Sequence, residues 1–566
     1  MTGKTQLWQI ANTTIRNPYR LKPGLQALID AGFEGSMGRD RELAMSHALR
    51  DHGIVTLSPR NDKDPSIARK WRSGLIKMGF LWSDLDISEE AGHTPYSLTP
   101  NGIRLLESDT IMAEQETILR SVSALHIPSP LERRFDCQQF SPLVHVISIL
   151  RSLELSLAVP YLGKLEMASV VMLSNPEKDV NSIVAEILDL RSRRERAPSK
   201  KKFDSVEYEN VAIATKYAPD TFRDYQDVVF RYLRATGLFQ TSKNGGIALA
   251  PARKDFAYAL ADTSVAPVGD IEYLEQLAFG AQLPTDSLET AQRDLDSLAL
   301  EAKRLGITYL PGEQLASVAD ISIQRYRLLD LISNQKELEY ARLQSEQIRE
   351  ILTYLRVLET SRPVEHEGST ISIPKAERPA YFEWILWRVI LALGEHELSP
   401  TEMRNFRVDQ DFFPVSTAPG GSAEIIAKYE KAVLVVEVTM SEGVRQEAME
   451  GAPVRHHVAL EEYSNEATGK DVYGLFIAPT INSNTAETFR VGTWYNADDR
   501  KLRLRIAPFT IKQLRTLLET QYGHDRELSL SKVMDVVKKI LELRDVSEDG
   551  PEWKAKIDQV LSDGDN

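Results

Sequence analysis

The chain has 566 residues, 42% apolar and 27% charged, with a net charge of −14 and one cysteine, Cys137. That length allows roughly three or four domains of about 150 residues, the composition is that of a globular protein, and a lone cysteine excludes an internal disulfide and suits the cytoplasm. No apolar run reaches the ~18 residues of a membrane span, and MTGKTQLWQIANTT lacks the apolar core of a signal peptide, so no membrane association is expected.

The charge is unevenly spread. Residues 1–80 hold 13 Lys/Arg against 7 Asp/Glu, a balance of +6. RSRRERAPSKKK, 191–202, holds 7 basic and 1 acidic residue, again +6, whereas 541–566 holds 3 basic and 8 acidic, −5. A basic front and an acidic rear suit a protein that meets a polyanion at one end only.

From the N-terminus, the first ~110 residues read as a winged-helix unit. Asp64-Pro65 starts a helix, with Asp as N-cap and Pro at the first position. Ile67, Trp71, Leu75 and Met78 then fall on one helix face, and Arg69, Lys70 and Arg72 lie off it. MGFLW…YSLTPNG (78–102) is echoed by TGLFQ…IALAPAR (236–253), each a Gly-led apolar strand, a polar hairpin and a strand ending in Leu-x-Pro. The helix before the second copy carries Arg231 and Arg234. Two such units suggest a DNA-reading domain over 1–262, with subdomains at about 1–110 and 111–262. Arg16, Arg39, Arg41 and Arg60 are flanking DNA-binding candidates. SPLVHVISILRSLELSL reads as a scaffold helix between the copies.

Residues 263–360 are acidic and rich in Leu, Glu, Gln and Arg, with helical periodicity throughout, and read as a helical linker. SRPVEHEGSTISIPKAERP, 361–379, is polar and Pro-containing, a predicted boundary. Beyond it an α/β domain is expected over 361–566. YFEWILWRVILALG is apolar nearly all round and so a buried helix. FRVDQDFFPV, KAVLVVEV, VYGLFIAP and LRLRIAP read as strands, and the acidic tail from Val546 as frayed.

Four acids in this last domain stand out. Glu383 and Arg388 alone interrupt the buried helix. Glu424 follows the APGGSA loop, Glu437 lies near the end of an apolar strand, and Glu450 closes the helical piece after it. A buried acid costs several kcal/mol unless paired or bound to a cation. A hard cation such as Mg²⁺ takes one or two carboxylates with phosphate and water, and beside a phosphodiester it can activate a water. His456 and His457 have no Cys or His partner at zinc-ligand spacing. No P-loop, dinucleotide Gly-x-Gly-x-x-Gly or Gly-x-Ser-x-Gly elbow is present.

FEWILW (382–387), VEVTMSEGVRQEAMEGAPVRHH (436–457) and LFIAPTINSNTAETF (475–489) resemble the AlwI-type family of type IIS restriction endonucleases, which includes site-specific nicking endonucleases. Further matches run through FEGS (33–36), SPLVHVISIL (141–150), AEILDLRSRRER (185–196) and RYLRATGLF (231–239), nearly the whole chain in the family's order. The resemblance implies a multidomain α+β protein of the bacterial cytoplasm. It would have winged-helix recognition subdomains, a helical linker and a C-terminal PD-(D/E)xK-type nuclease core that hydrolyses double-stranded DNA with Mg²⁺ at a fixed offset from a short asymmetric site. Carried over by position, Glu383, Glu424, Glu437, Glu450, Gln446 and His457 are the catalytic candidates, with Glu383, Glu424 and Glu437 toward the metal. Gln446 stands in for the lysine that is missing two residues after Glu437, and His457 for a phosphate contact.

Glu424 falls where relatives place Asp, and its extra methylene shifts any metal it holds. One core cuts one strand, so double-strand cleavage needs a second core, from a transient homodimer or a small second subunit. A cognate DNA methyltransferase is also implied. The competing readings are a sequence-specific DNA-binding protein with an inactive nuclease domain, and a structure-specific repair nuclease.

Overall fold

The computed structural model describes residues 7–55, 65–156, 160–242, 246–262, 269–310, 317–419, 421–495 and 499–562. The chain is mixed α and β, mostly helical with small sheets, and folds as two compact units, Met1–Ile332 and Ser333–Asn566. The division falls inside one helix, Val318–Arg342. The described residues of the span 263–360, read as a linker, are mostly helical, and the span is shared between the units. Ile348, Ile351, Leu355 and Leu358 from its last helix belong to the core of the second unit. Among the described residues, no helix is long and apolar enough to cross a membrane.

In the first unit, helix α1 (Ser66–Lys77) buries Trp71 and Leu75 completely, as the spacing predicts, with Met78 beyond its end equally buried. Its expected N-cap, Asp64, lies outside the described residues. Gly79 follows with φ 72°, a conformation glycine adopts without steric cost. Leu81 then bridges Leu98 antiparallel, before Pro100 opens the next helix. The echo repeats this arrangement. Helix α2 (Pro219–Ala235) ends before Gly237, with φ 71°, and strand β1 (Phe239–Thr241) pairs antiparallel with β2 (Ile247–Leu249). Pro251 then starts the next helical turn. A buried polar triad, Asp294 with Arg253 at 2.7 Å and Arg325 at 2.6 Å, joins helices of this unit.

The second unit is built on a four-stranded sheet. Its order is β6 (Ile506–Thr510), β5 (Asp471–Ala478), β4 (Ala432–Val438) and β3 (Ile425–Lys428). The first three run parallel and β3 is antiparallel to β4. Strand β4 is buried over six of its seven residues, as a near-continuous apolar run requires of a central parallel strand. Helix α3 (Arg378–Leu393) is buried without interruption from Phe382 to Leu393. Leu386, Val389, Ile390 and Leu393 of α3 line one cavity with Val436, Leu475, Ile477 and Phe509 of the sheet. Arg388 is reconciled with this burial by Gln344, Gln347 and Glu350, each bonded at 2.6–2.7 Å.

Four sequence expectations are corrected. FRVDQDFFPV is not one strand: Arg407–Val408 and Pro414–Ser416 pair as a hairpin, turned by Asp409, whose Oδ1 accepts from the Asp411 and Phe413 amides at 2.9 and 3.0 Å. LRLRIAP also divides. Lys501–Arg503 pairs with Thr493–Tyr495, and only Ile506–Thr510 enters the main sheet. The acidic tail is not frayed, being helical to Ser562: Trp553 is fully buried, Ile557 nearly so, and Trp553 Nε1 donates to the Ile540 carbonyl at 2.9 Å. Glu450 does not close its helix, because α4 (Val444–Asn465) continues through Pro453.

Candidate active site

The pairing of β3 with β4 sets Ile425 opposite Val436. Carried on one residue, that register sets Glu424 opposite Glu437, and cross-strand partners project to the same face. Glu424 and Glu437 perturb one another, burial and the neighbouring Glu437 carboxyl together favouring a proton on Glu424. Glu424 Oε2 also accepts from the Val438 amide at 3.2 Å. From α3, Glu383 Oε2 accepts from the Ala418 amide at 2.7 Å.

Helix α4 supplies the other wall. Gln446, Glu450 and His457 are spaced i, i+4 and i+11, a single helical stripe. His457 Nδ1 lies 2.6 Å from Glu437 Oε1, and as its N–H it donates to that carboxylate. Thr439 Oγ1 donates to Glu450 Oε1 at 2.7 Å. Glu437 is thus joined to α4 through His457, and the charges of Glu450 and Glu383 reach it, with Glu424 opposite it on the β3 side.

Burial dominates the electrostatics. Glu383 is 5% exposed and Glu437 4%. Burial, reinforced by the neighbouring Glu424, pushes Glu383 up to about 9. Glu424 is raised well above the carboxylate range by burial and then by Glu437. Glu437 is raised to about 7 by burial, with the Glu424 hydrogen bond opposing and the charges of Glu450 and Glu383 adding. Glu450 is raised by burial against the Thr439 hydrogen bond, and burial lowers His457. Among the described residues none of the four carboxyls has a Lys or Arg ion-pair partner. Nor does any group of three or more His, Cys, Asp or Glu there already stand at metal-ligand spacing. The cluster keeps its charge low by holding protons.

Gln446 stands apart from the acids. It is fully buried, and its amide is saturated by backbone: Nε2 donates to the Ser441 and Thr480 carbonyls at 2.9 and 2.8 Å, and Oε1 accepts from the Asn482 amide at 2.8 Å. An amide committed to three backbone partners cannot do the work of a lysine at the reacting phosphate, which corrects that expectation. Arg455 turns to the Gly451 and Thr493 carbonyls and lies over Trp494. Thr439 is a functional candidate that the sequence reading passed over. Its signal was its place two residues after Glu437, at the position expected for lysine.

The DNA-binding candidates divide by burial. Arg39, Arg69 and Lys70 are exposed, and Arg69 has only a long 3.7 Å approach to Glu42. Arg72 is instead held inside, 12% exposed, by Glu42 at 2.9 Å and the Met37 carbonyl at 2.7 Å. Arg16 pairs with Asp224 at 2.8 Å, Arg231 with Asp227 at 2.9 Å, and Arg234 donates to Thr241 at 3.0 Å. Arg41 stacks on Phe33 and bonds Ser36. Arg60 lies outside the described residues. In the second basic run, Arg191 bonds Glu166, Arg193 bonds Asp189 and Glu207, and Arg194 bonds Asp204, so much of its charge braces the fold.

A family model described as AlwI restriction endonuclease matches residues 76–517, which takes in the whole acid cluster, Arg231 and Arg234. Among solved structures, the small subunit of the heterodimeric restriction endonuclease R.BspD6I is 24% identical over 38% of this chain and 99% of its own, with a TM-score of 0.30, too low for that likeness to carry weight. No curated protein matches the chain.

Proposed function

The chain belongs to the AlwI restriction endonuclease family, and on that premise we propose that it is a type IIS endonuclease. It would hydrolyse a DNA phosphodiester at a fixed offset from a short asymmetric site, with Mg²⁺. The observation that carries this reading is a set of four carboxyls, Glu383 and Glu437 buried and Glu424 and Glu450 half-buried, with no Lys or Arg partner among the described residues. Such a set must either hold protons or face a cation, and its all-oxygen donors suit a hard divalent ion. Glu424, Glu437 and Glu383 would hold Mg²⁺, which when bound neutralises charge on the phosphodiester and acidifies a water. Loss of the proton that burial and Glu437 favour on Glu424 frees that carboxylate for the same role. His457, donating from Nδ1, fixes the Glu437 carboxylate, and Glu450 is placed as the acid nearest it on α4.

In this reading residues 1–262 recognise DNA through two winged-helix subdomains, supported by the repeated helix–glycine–strand pattern. Residues 263–360 link them to a PD-(D/E)xK-type core at 361–566. Exposed Arg39, Arg69 and Lys70 meet the duplex, whereas Arg72 holds the fold. One core acts on one strand. Cutting both needs a transient homodimer or a small second subunit, and without one the enzyme nicks. A cognate methyltransferase protects the host DNA.

The reading is tested with Glu437→Ala, which should end cutting while specific DNA binding, followed by footprinting, stays intact; retained cutting would remove Glu437 from the chemistry. A second reading, a working recognition half with an inactive core, draws on Glu424 itself. Its longer side chain reaches both the Val438 amide and Glu437. If wild-type protein binds a site without cutting it and Glu424→Asp cuts there, the second reading holds.

A further inference from the structure

Glu450 sits in the second turn of α4, and three hydrogen bonds lead to it from the loop after β4. Gln446 Nε2 holds the Ser441 carbonyl at 2.9 Å. The Ser441 amide donates to Thr439 Oγ1 at 3.0 Å. The Thr439 hydroxyl, with its single proton, donates to Glu450 Oε1 at 2.7 Å. The relay has a direction. Thr439 Oγ1 accepts from the Ser441 amide through a lone pair and directs its one hydrogen at Glu450. Because Gln446 donates to two carbonyls and accepts from one amide, its orientation is fixed too.

Gln446 also ties the loop after β4 to the loop after β5 through Thr480 and Asn482. These loops leave adjacent parallel strands, the edge at which α/β sheets bind ligands. Gln446 is fully buried and Thr439 is 8% exposed, so both bonds start from buried groups and are shielded in part from water, which strengthens a hydrogen bond to a carboxylate.

We propose that Thr439 and Gln446 are positioning residues of the nuclease site: Gln446 fixes the loop that carries Thr439, and Thr439 aims the Glu450 carboxylate at the cluster. This rests on the endonuclease reading above. The place two residues after Glu437 is then not empty for want of a lysine. It is used to hold an acid brought in from α4. The relay also separates the two α4 residues that were grouped together as catalytic, since Glu450 faces the site and Gln446 supports it from behind.

The test is a set of three variants on plasmid DNA with Mg²⁺. Thr439→Val keeps the β-branched shape and removes the donor. It should lower kcat by 10- to 100-fold, the usual cost of losing a partner that orients a site ligand, with KM unchanged. Thr439→Ser restores the hydroxyl and should recover most of the loss. Gln446→Leu, which leaves two carbonyls and an amide without partners, should lower kcat at least as far. Val equal to wild type, Ser no better than Val, or a loss confined to KM would overturn the proposal. If wild-type protein leaves the DNA intact, the endonuclease reading fails, and the proposal is then decided by crystal structures of the Val and Ser variants. Glu450 turned away in Val and held in Ser supports the relay; Glu450 unmoved in both overturns it.

Discussion

Glu383→Gln isolates the cost of the acid cluster. In the unfolded chain Glu383 loses its proton near 4.5, and in the folded protein only at about 9, because burial and then Glu424 oppose its charge. The folded state therefore binds the proton more tightly. Its stability is greatest below about 4.5 and falls as pH rises from there toward 9. At pH 7 the unfolded carboxyl is ionised and the folded one is not. The difference of 2.5 pH units costs about 3 kcal/mol at 1.36 kcal/mol per unit, and at pH 5 the cost is under about 1 kcal/mol. Gln has the shape of the neutral acid, keeps an oxygen for the Ala418 amide and cannot ionise. The variant should thus gain about 3 kcal/mol in the second unit at pH 7 in chelator, and much less at pH 5. Hydrogen exchange in peptides covering 432–438 reads the opening of that unit without assuming that the whole chain unfolds in one step. A variant less stable than wild type at pH 7, or a difference unchanged between pH 5 and pH 7, would refute this account of the cluster.

Other outcomes follow from the same structure. Arg72→Ala leaves Glu42 buried without its main partner and should cost about 3–5 kcal/mol in the first unit, measured by denaturant unfolding, whereas Lys70→Ala should leave stability unchanged. Lys70→Ala and Arg69→Ala should instead weaken DNA binding, each reducing the salt slope by about 1 if it contacts a phosphate; unchanged affinity would take these residues off the DNA. Trp553→Ala should cost about 3–5 kcal/mol, and a tail that frays would show no loss in thermal melting.

What could be read from the sequence followed from local pattern. The KAVLVVEV strand and the FEWILW helix were legible because a buried parallel strand and a fully buried helix both require unbroken apolar runs, and an acid inside such a run shows itself. The tail was misread: the i, i+4 spacing of Trp553 and Ile557 marks a buried face, but the acidic composition outweighed it. Glu450 was misplaced because its helix runs on through Pro453. In the fold the proline costs one hydrogen bond at an exposed turn, and α4 continues. The pairing of Glu424 with Glu437 depends on strand register, and the loss of Arg72 to Glu42 on a partner 30 residues away. Neither leaves a local mark. The same holds for Gln446, whose three partners are all backbone atoms of loops.

The central claim is that the buried carboxyls form a divalent-cation nuclease site, and digestion of supercoiled plasmid with Mg²⁺ and with chelator, followed by run-off sequencing of both strands, tests it most directly. Breaks are expected at one fixed distance from one repeated asymmetric sequence, present with Mg²⁺, absent in chelator and absent for Glu437→Ala. Breaks that persist in chelator or in Glu437→Ala, or plasmid that stays intact with Mg²⁺, would contradict it.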